Sequence, residues 1–151
     1  MTDSQIDARH FRNVLGHFPT GVTVVTGLDS AGAPHAITIG SFVSVSLDPP
    51  LVGFLPGTAS KSWQAIAESG SFCVNILAAG QDELCWKFAK EPAVGETSKF
   101  AGVDWTASAT GSPTLPGIIG SIDCTVEVVH EVGDHLFVVG RVHDMSHADD
   151  V

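Results

Sequence analysis

The sequence predicts a mainly β chain, an antiparallel barrel with one or two helices packed outside it. Three observations carry that prediction. Strand-like segments outnumber helical ones along the 151 residues. They do not alternate with helices in the regular way a parallel sheet requires. The clearest supersecondary signal is a hairpin near the C-terminus, which antiparallel barrels are built from. At this length the chain reads as one domain, 1–151, long enough to bury a hydrophobic core.

The elements follow in order. Residues 5–18 place Ile6, Phe11, Val14, Leu15 and Phe18 near helical spacing, and Pro19 stops the pattern. Gly21 releases the chain into the β-branched run VTVVTGLD. Ser30-Ala31-Gly32-Ala33 reads as a hairpin turn, and the chain returns as one extended stretch, HAITIGSFVSVS. One parity of that stretch is apolar: Ile37, Ile39, Val43, Val45 and Leu47. The other carries Thr38, Ser44 and Ser46 around Phe42. A hydroxyl face of this kind is either an ordinary solvent face or a ligand-lining one, because small hydroxyls let a flat ring approach the backbone. Gly40 within it fits a bulge or such an approach.

Asp48-Pro49-Pro50 ends the stretch, and LVGFL is a short buried-type strand. After Pro56-Gly57, the segment Thr58-Ala59-Ser60-Lys61-Ser62 opens a helix through Trp63, Ile66 and Ala67, with Gly70 as its stop. Ser60 or Ser62 can cap it. Several hydroxyls, a lysine and free backbone N–H groups at one helix start also describe an anion site, and the two roles are compatible. Together with the stretch from Pro34 to Leu51, this segment offers what a flavin nucleotide needs: narrow polar backbone for the ring and ribityl chain, and donors for a phosphate.

SFCVNIL (71–77) reads as another alternating strand, and QDELCWKFAK (81–90) as a short amphipathic helix with Leu84, Cys85 and Phe88 inward. Residues 91–120 are rich in Gly and Pro, with Lys99, Phe100 and Trp105 the notable side chains, in the manner of a lid or interface arm. In the final hairpin, Ile122, Cys124, Val126 and Val128 alternate with Asp123, Thr125 and Glu127; the turn EVGD and the strand HLFVVGRVH follow.

Composition excludes several classes. With 44% hydrophobic and 16% charged residues, the chain is not disordered, and it carries apolar surface to spare for a subunit interface. No apolar run approaches the ~20 residues of a membrane span, and the polar opening MTDSQIDARH lacks the apolar core of a secretory signal. Cys73, Cys85 and Cys124 show no metal-type spacing and read as buried free thiols, consistent with a cytoplasmic protein. A net charge of −10 argues against nucleic acid or an anionic membrane as partner, and makes Lys61 and Lys99 notable as local positive charge.

The motifs of other chemistries are absent. His130, His135, His143 and His147 crowd the C-terminal end, but a hairpin turning at Gly133-Asp134 sets His130 against Phe137 and His143 against Cys124, so they do not converge on a metal. No G-x-S-x-G elbow, P-loop or G-x-G-x-x-G is present. His135, directly after the tight turn, is either an exposed turn histidine or a polar group at the mouth of a site.

The segments FRNVLGHFPTGVTVVT, PHAITIGSFVSVSLDPPL, ASKSWQAI, FCVNIL, SKFAGVDW and GDHLFVVGRV together resemble the flavin-reductase-like family, the short-chain NAD(P)H:flavin oxidoreductases of two-component monooxygenases. The resemblance implies an antiparallel Greek-key split β-barrel, the FMN-binding split barrel, with a few peripheral helices and a homodimeric assembly. It implies FMN, sometimes FAD, as cofactor and NADH or NADPH as co-substrate. Thr38, Ile39, Gly40, Ser41 and Phe42 would line the flavin ring and ribityl chain, with Ser44, Ser46 and Leu47 beside the ring's polar edge. Ser60, Lys61 and Ser62 match the phosphate loop, Lys99 and Phe100 a pair closing over the cofactor, and His135 the nicotinamide side. The family often has asparagine where Gly40 stands, and its members usually continue past HADDV with another strand. The implied activity is hydride transfer from the nicotinamide to flavin, with reduced flavin released to a separate flavin-dependent monooxygenase. A non-catalytic flavin-binding module, or a split barrel binding another phosphorylated ligand, are the alternatives.

Overall fold

The computed structural model describes residues 6–90, 92, 94, 95 and 98–149. The first half of the polar opening, the start of the predicted first helix, four positions of the 91–97 stretch and the last two residues of HADDV lie outside the described residues.

In chain order the elements are α1 (Ala8–Leu15), β1 (Thr23–Leu28), β2 (Pro34–Ile39), β3 (Val43–Ser46), β4 (Leu51–Phe54), α2 (Lys61–Ala67), β5 (Ser71–Ile76), α3 (Asp82–Ala89), β6 (Thr106–Ala107), β7 (Pro113–Thr114), β8 (Gly120–Val132) and β9 (His135–His147). Seven strands form one antiparallel sheet in the order β2-β1-β5-β8-β9-β4-β3, and β6 and β7 form a small ribbon of their own.

The predicted single strand over 35–46 is in fact two strands, β2 and β3, and they lie at opposite edges of this sheet. In a flat sheet those edges would stand roughly 29 Å apart, six spacings of ~4.8 Å. Yet only Gly40, Ser41 and Phe42 separate β2 from β3, and four Cα steps reach about 15 Å at most. The sheet must therefore curl until its edges nearly meet. They do not pair, so the barrel is split along this seam. Ser41 fastens it: its Oγ accepts from the Leu55 amide at 3.0 Å and donates to the Leu55 carbonyl at 3.4 Å. The break falls at Gly40 because Thr20 crosses there, and a Cβ on Gly40 would lie 3.0 Å from Thr20 Oγ1.

Two apolar cores flank the sheet. Inside the curl, Phe54, Trp63 and Phe72 pack edge to face with centroids 5.1 to 6.4 Å apart, joined by Val25, Ile66, Val74 and Val138. Outside, Val24, Ala36 and Leu115 pack with Phe88 and Phe100, whose rings lie 4.9 Å apart. Covered on both sides, β5 buries Phe72 through Asn75 without the predicted alternation. Asn75 is satisfied there by the Val24 carbonyl at 3.1 Å and the Leu115 amide at 2.9 Å. Asp123, expected on an outward face, is buried too. It accepts from Ser108 Oγ at 2.8 Å, Thr110 Oγ1 at 2.7 Å and the Thr110 amide at 2.8 Å, which ties the loop before β7 to β8.

The β8–β9 hairpin contains two bulges. Near its tip the register follows the expectation, His130 opposite Phe137, but Glu127 is then an extra residue on β8 and His143 an extra one on β9. Cys124 consequently pairs with Val142, not with His143. His143 instead bonds Thr125 Oγ1 at 2.7 Å.

A large apolar surface stays uncovered. The helix predicted over 5–18 spans only Ala8–Leu15 and buries none of its residues. Its Phe11, Val14 and Leu15 are exposed, with Phe18 just after it, and so are Val43, Val45 and Leu47, the last at 93%. The apolar parity expected to face inward along β3 therefore faces out, because β3 is an edge strand beyond the reach of the inner core. No described helix is long and apolar enough to cross a membrane.

Candidate functional site

The start of α2 is fixed by Ser60, the true cap, whose Oγ accepts from the Trp63 amide at 3.2 Å. Trp63 and Ile66 anchor the helix in the inner core, so the polar residues of its first turn are held against β2. The result is a cavity of about 370 Å³ lined by Thr38 and Ile37 of β2, the cap Ser60, Lys61 and Ser62 of α2, and Lys99. Residues far apart in sequence converge here, and all of these but Ile37 are ones the sequence singles out as site candidates.

Lys99 reaches in from the loop after α3. Its Nζ donates to Ser62 Oγ at 3.0 Å, the Phe88 carbonyl at 3.1 Å and the Ala36 carbonyl at 3.4 Å, joining α2, α3 and β2. Phe100 next to it is buried against Phe88 in the outer core. It seats the lysine rather than covering a ligand. The hydroxyl inventory can be followed atom by atom. Thr38 donates its proton to the Cys85 carbonyl at 2.7 Å. Ser60 and Ser62 are engaged as acceptors, which leaves their O–H protons for a ligand. The Lys61 ammonium and two such hydroxyls, with the charge of Lys99 behind them, suit a phosphate, in a chain whose net charge is −10.

The remaining predicted residues do not enter this cavity. Gly40, Ser41 and Phe42 line a second one, about 420 Å³, against Phe18, Pro19, Thr20 and Gly21. From the sequence, residues 18–21 carry no site role: Phe18 counts toward the first helix, and Pro19 and Gly21 act as breaks. Ile39 is buried between the two cavities, with its carbonyl accepting from Thr23 Oγ1 at 2.9 Å. Ser44, Ser46 and Leu47 lie on or just past the β3 edge and border neither cavity.

His135 is the first residue of β9, at the hairpin tip. A bridge to Gly57 and a 3.0 Å bond from the Thr58 amide to the Asp134 carbonyl dock that tip beside the segment leading into α2. Its Nδ1 lies 2.7 Å from Asp134 Oδ1, a bond that holds the Asp134 carboxyl below its ordinary pKa. Burial pushes the thiols of Cys73 and Cys124 up to about 11 and about 12, so neither is a thiolate nucleophile near neutrality. Cys85 is only half-buried, less enclosed than expected. Among the described residues no cluster of three or more His, Cys, Asp or Glu could hold a metal.

A family profile described as "Flavin reductase like domain" matches residues 15–151. The chain is 49% identical over 141 residues to the flavin-dependent monooxygenase reductase subunit HsaB of Rhodococcus jostii, covering 93% of this chain and 70% of that one. It superposes with a TM-score of 0.87 on nitrilotriacetate monooxygenase component B from Mycobacterium thermoresistibile, at 47% identity, covering 95% and 77% of the two chains. It also superposes, with a TM-score of 0.86 and 34% identity over 95% of this chain and 84% of the other, on the NADH:FAD oxidoreductase SgcE6 of Streptomyces globisporus in complex with NAD and FAD fragments.

Proposed function

Since the chain belongs to the flavin reductase-like domain family, we propose that it oxidises NADH to reduce a flavin, and that it passes the reduced flavin to a separate monooxygenase. The observation that carries this is the convergence of Lys61, Lys99, Ser60 and Ser62 on one cavity of an otherwise acidic chain. When bound, flavin supplies the acceptor for the hydride of nicotinamide C4; the residues supply binding and alignment.

Lys61 and Lys99 balance the flavin's phosphate, while Ser60 and Ser62 donate to its oxygens. Thr38 lies beside the ribityl chain as an acceptor. The ring would lie toward the seam, where Gly40 is packed under Thr20 and Phe42 would offer an apolar wall. His135, steadied by Asp134, holds the polar end of the nicotinamide, and no general acid or base is needed because a hydride carries its own electrons. FMN and FAD share every one of these contacts.

A homodimer fits the exposed apolar side chains of α1 and β3, since clustered apolar surface marks interaction sites. Three free cysteines fit the cytoplasm. The test is NADH consumption in air, with and without added FMN or FAD and with no organic substrate. Strong flavin-dependent oxidation is expected. Flavin binding without NADH oxidation would replace the reductase reading with a binding module.

A further inference from the structure

Near its tip the β8–β9 hairpin runs without lateral support from the rest of the sheet. Among the described residues β5 pairs with β8 no further than Thr125, and β4 pairs with β9 only over 138–141. The end that carries His135 is therefore a two-stranded arm, which on its own is marginally stable in water. The segment 56–58 ties it down. The Leu136 amide donates to the Pro56 carbonyl at 2.9 Å, and Gly57 bridges to His135. Thr58 donates twice to one acceptor, the Asp134 carbonyl, from its amide at 3.0 Å and from Oγ1 at 3.1 Å.

Thr58 is also tied to α2. Its carbonyl accepts from Gln64 Nε2 at 3.3 Å, and the amide of the cap Ser60 donates to the Gly57 carbonyl at 3.0 Å. One short strap thus joins the helix start that lines the phosphate cavity to the turn that carries His135. The backbone bonds of the strap come with any residue; the hydroxyl bond needs threonine or serine.

Asp134 is consequently held at both ends. Its carbonyl takes both Thr58 donors, and its carboxylate lies 2.7 Å from His135 Nδ1. The Asp134 side chain is 95% exposed, so packing does not orient it and its own peptide must. A carboxylate only accepts, so Nδ1 donates and Nε2 is left for a ligand.

Resting on the reading of His135 as the nicotinamide contact, we propose that Thr58 is a positioning residue for the reductase reaction. Its hydroxyl sets the Asp134 peptide, the Asp134 carboxylate sets the imidazole, and the imidazole receives NADH. The flavin phosphate and the nicotinamide are then registered to each other through the strap.

Steady-state NADH oxidation in air with saturating FMN tests this, on the full chain and on Thr58→Val, Thr58→Ser, His135→Ala and the Thr58→Val, His135→Ala pair. Valine keeps the shape and the amide bond and removes the hydroxyl at an exposed position. KM for NADH should rise about threefold to tenfold, the scale of one neutral hydrogen bond, with kcat within about twofold. FMN affinity by fluorescence titration should not change. Thr58→Ser should bring KM back to within about twofold of the unsubstituted value. In the His135→Ala background Thr58→Val should leave KM where it stands, because the hydroxyl acts only through the imidazole. An unchanged KM in Thr58→Val, or a rise of equal size with and without His135, would overturn the proposal. So would weaker FMN binding in Thr58→Val at constant KM, which would give the hydroxyl to the phosphate cavity. A KM unaffected by His135→Ala would remove the nicotinamide contact itself, and the proposal with it.

Discussion

Substituting Lys61 by methionine separates the phosphate from the rest of the flavin. Lys61 opens α2 with an exposed side chain, and its ammonium makes no hydrogen bond or ion pair among the described residues. Methionine keeps most of the stem and removes the charge, so the folded state should change by no more than about 0.5 kcal/mol, the usual range for a surface substitution. A charge-assisted bond to a phosphate in a partly exposed cavity contributes on the order of 1.5–2 kcal/mol, or roughly 10–30-fold in affinity. FMN should therefore weaken by that factor, while riboflavin, which has no phosphate, should stay within about twofold. The FMN-to-riboflavin gap should also narrow at high salt. The assay is fluorescence titration of both flavins against the protein and its variant. Riboflavin weakening in step with FMN would refute the placement of Lys61 at the phosphate. Lys99→Met should show the same flavin selectivity together with a lower melting temperature, because its ammonium also joins α2, α3 and β2.

Further outcomes concern the scaffold. Gly140 passes so close to Phe72 that a Cβ would overlap the ring; Gly140→Ala should cost about 1–3 kcal/mol in urea denaturation through overpacking of the inner core. Asp123→Asn forces an amide into a site built from three donors, and should cost about 2–3 kcal/mol while leaving FMN affinity unchanged. Asp29 and Glu68 titrate below their ordinary values of 3.8 and 4.5, chiefly through hydrogen bonds from His35 and the Ser30 amide respectively. A depressed carboxyl stabilises the fold above its unfolded pKa and loses that contribution as pH falls through the folded one. Stability should thus decline below about pH 4, and Asp29→Asn should make the decline shallower in acid-denaturation curves.

Much of the site was legible in the sequence because its chemistry is local. The hydroxyl-rich entry to α2 carries its own cap and the candidate anion donors within five residues, and these line one cavity. What joined Lys99 to that group was family resemblance; spacing alone could not, since its partners come from β2, α2 and α3. The break at Gly40 was hidden by arithmetic. Ile39 and Val43 are four positions apart, so inside-outside alternation continues across the gap as if the strand did. Asp123 was misread for a related reason: it is buried by a loop that crosses from elsewhere, and strand periodicity reports only a residue's own ribbon. The outward face of β3 followed from its position at the sheet edge, which topology decides.

The paired bulges of the β8–β9 hairpin work like two frameshifts that restore the reading frame. One residue is added on each strand, at Glu127 and at His143, so the base and the tip of the hairpin stay in phase. The tip is the part that touches Gly57 and carries His135. Deleting Glu127 alone would leave the other insertion uncompensated and draw the tip back by about one residue, ~3.4 Å. The position of His135 beside α2 is therefore measured out by strand length, at places well removed from any ligand.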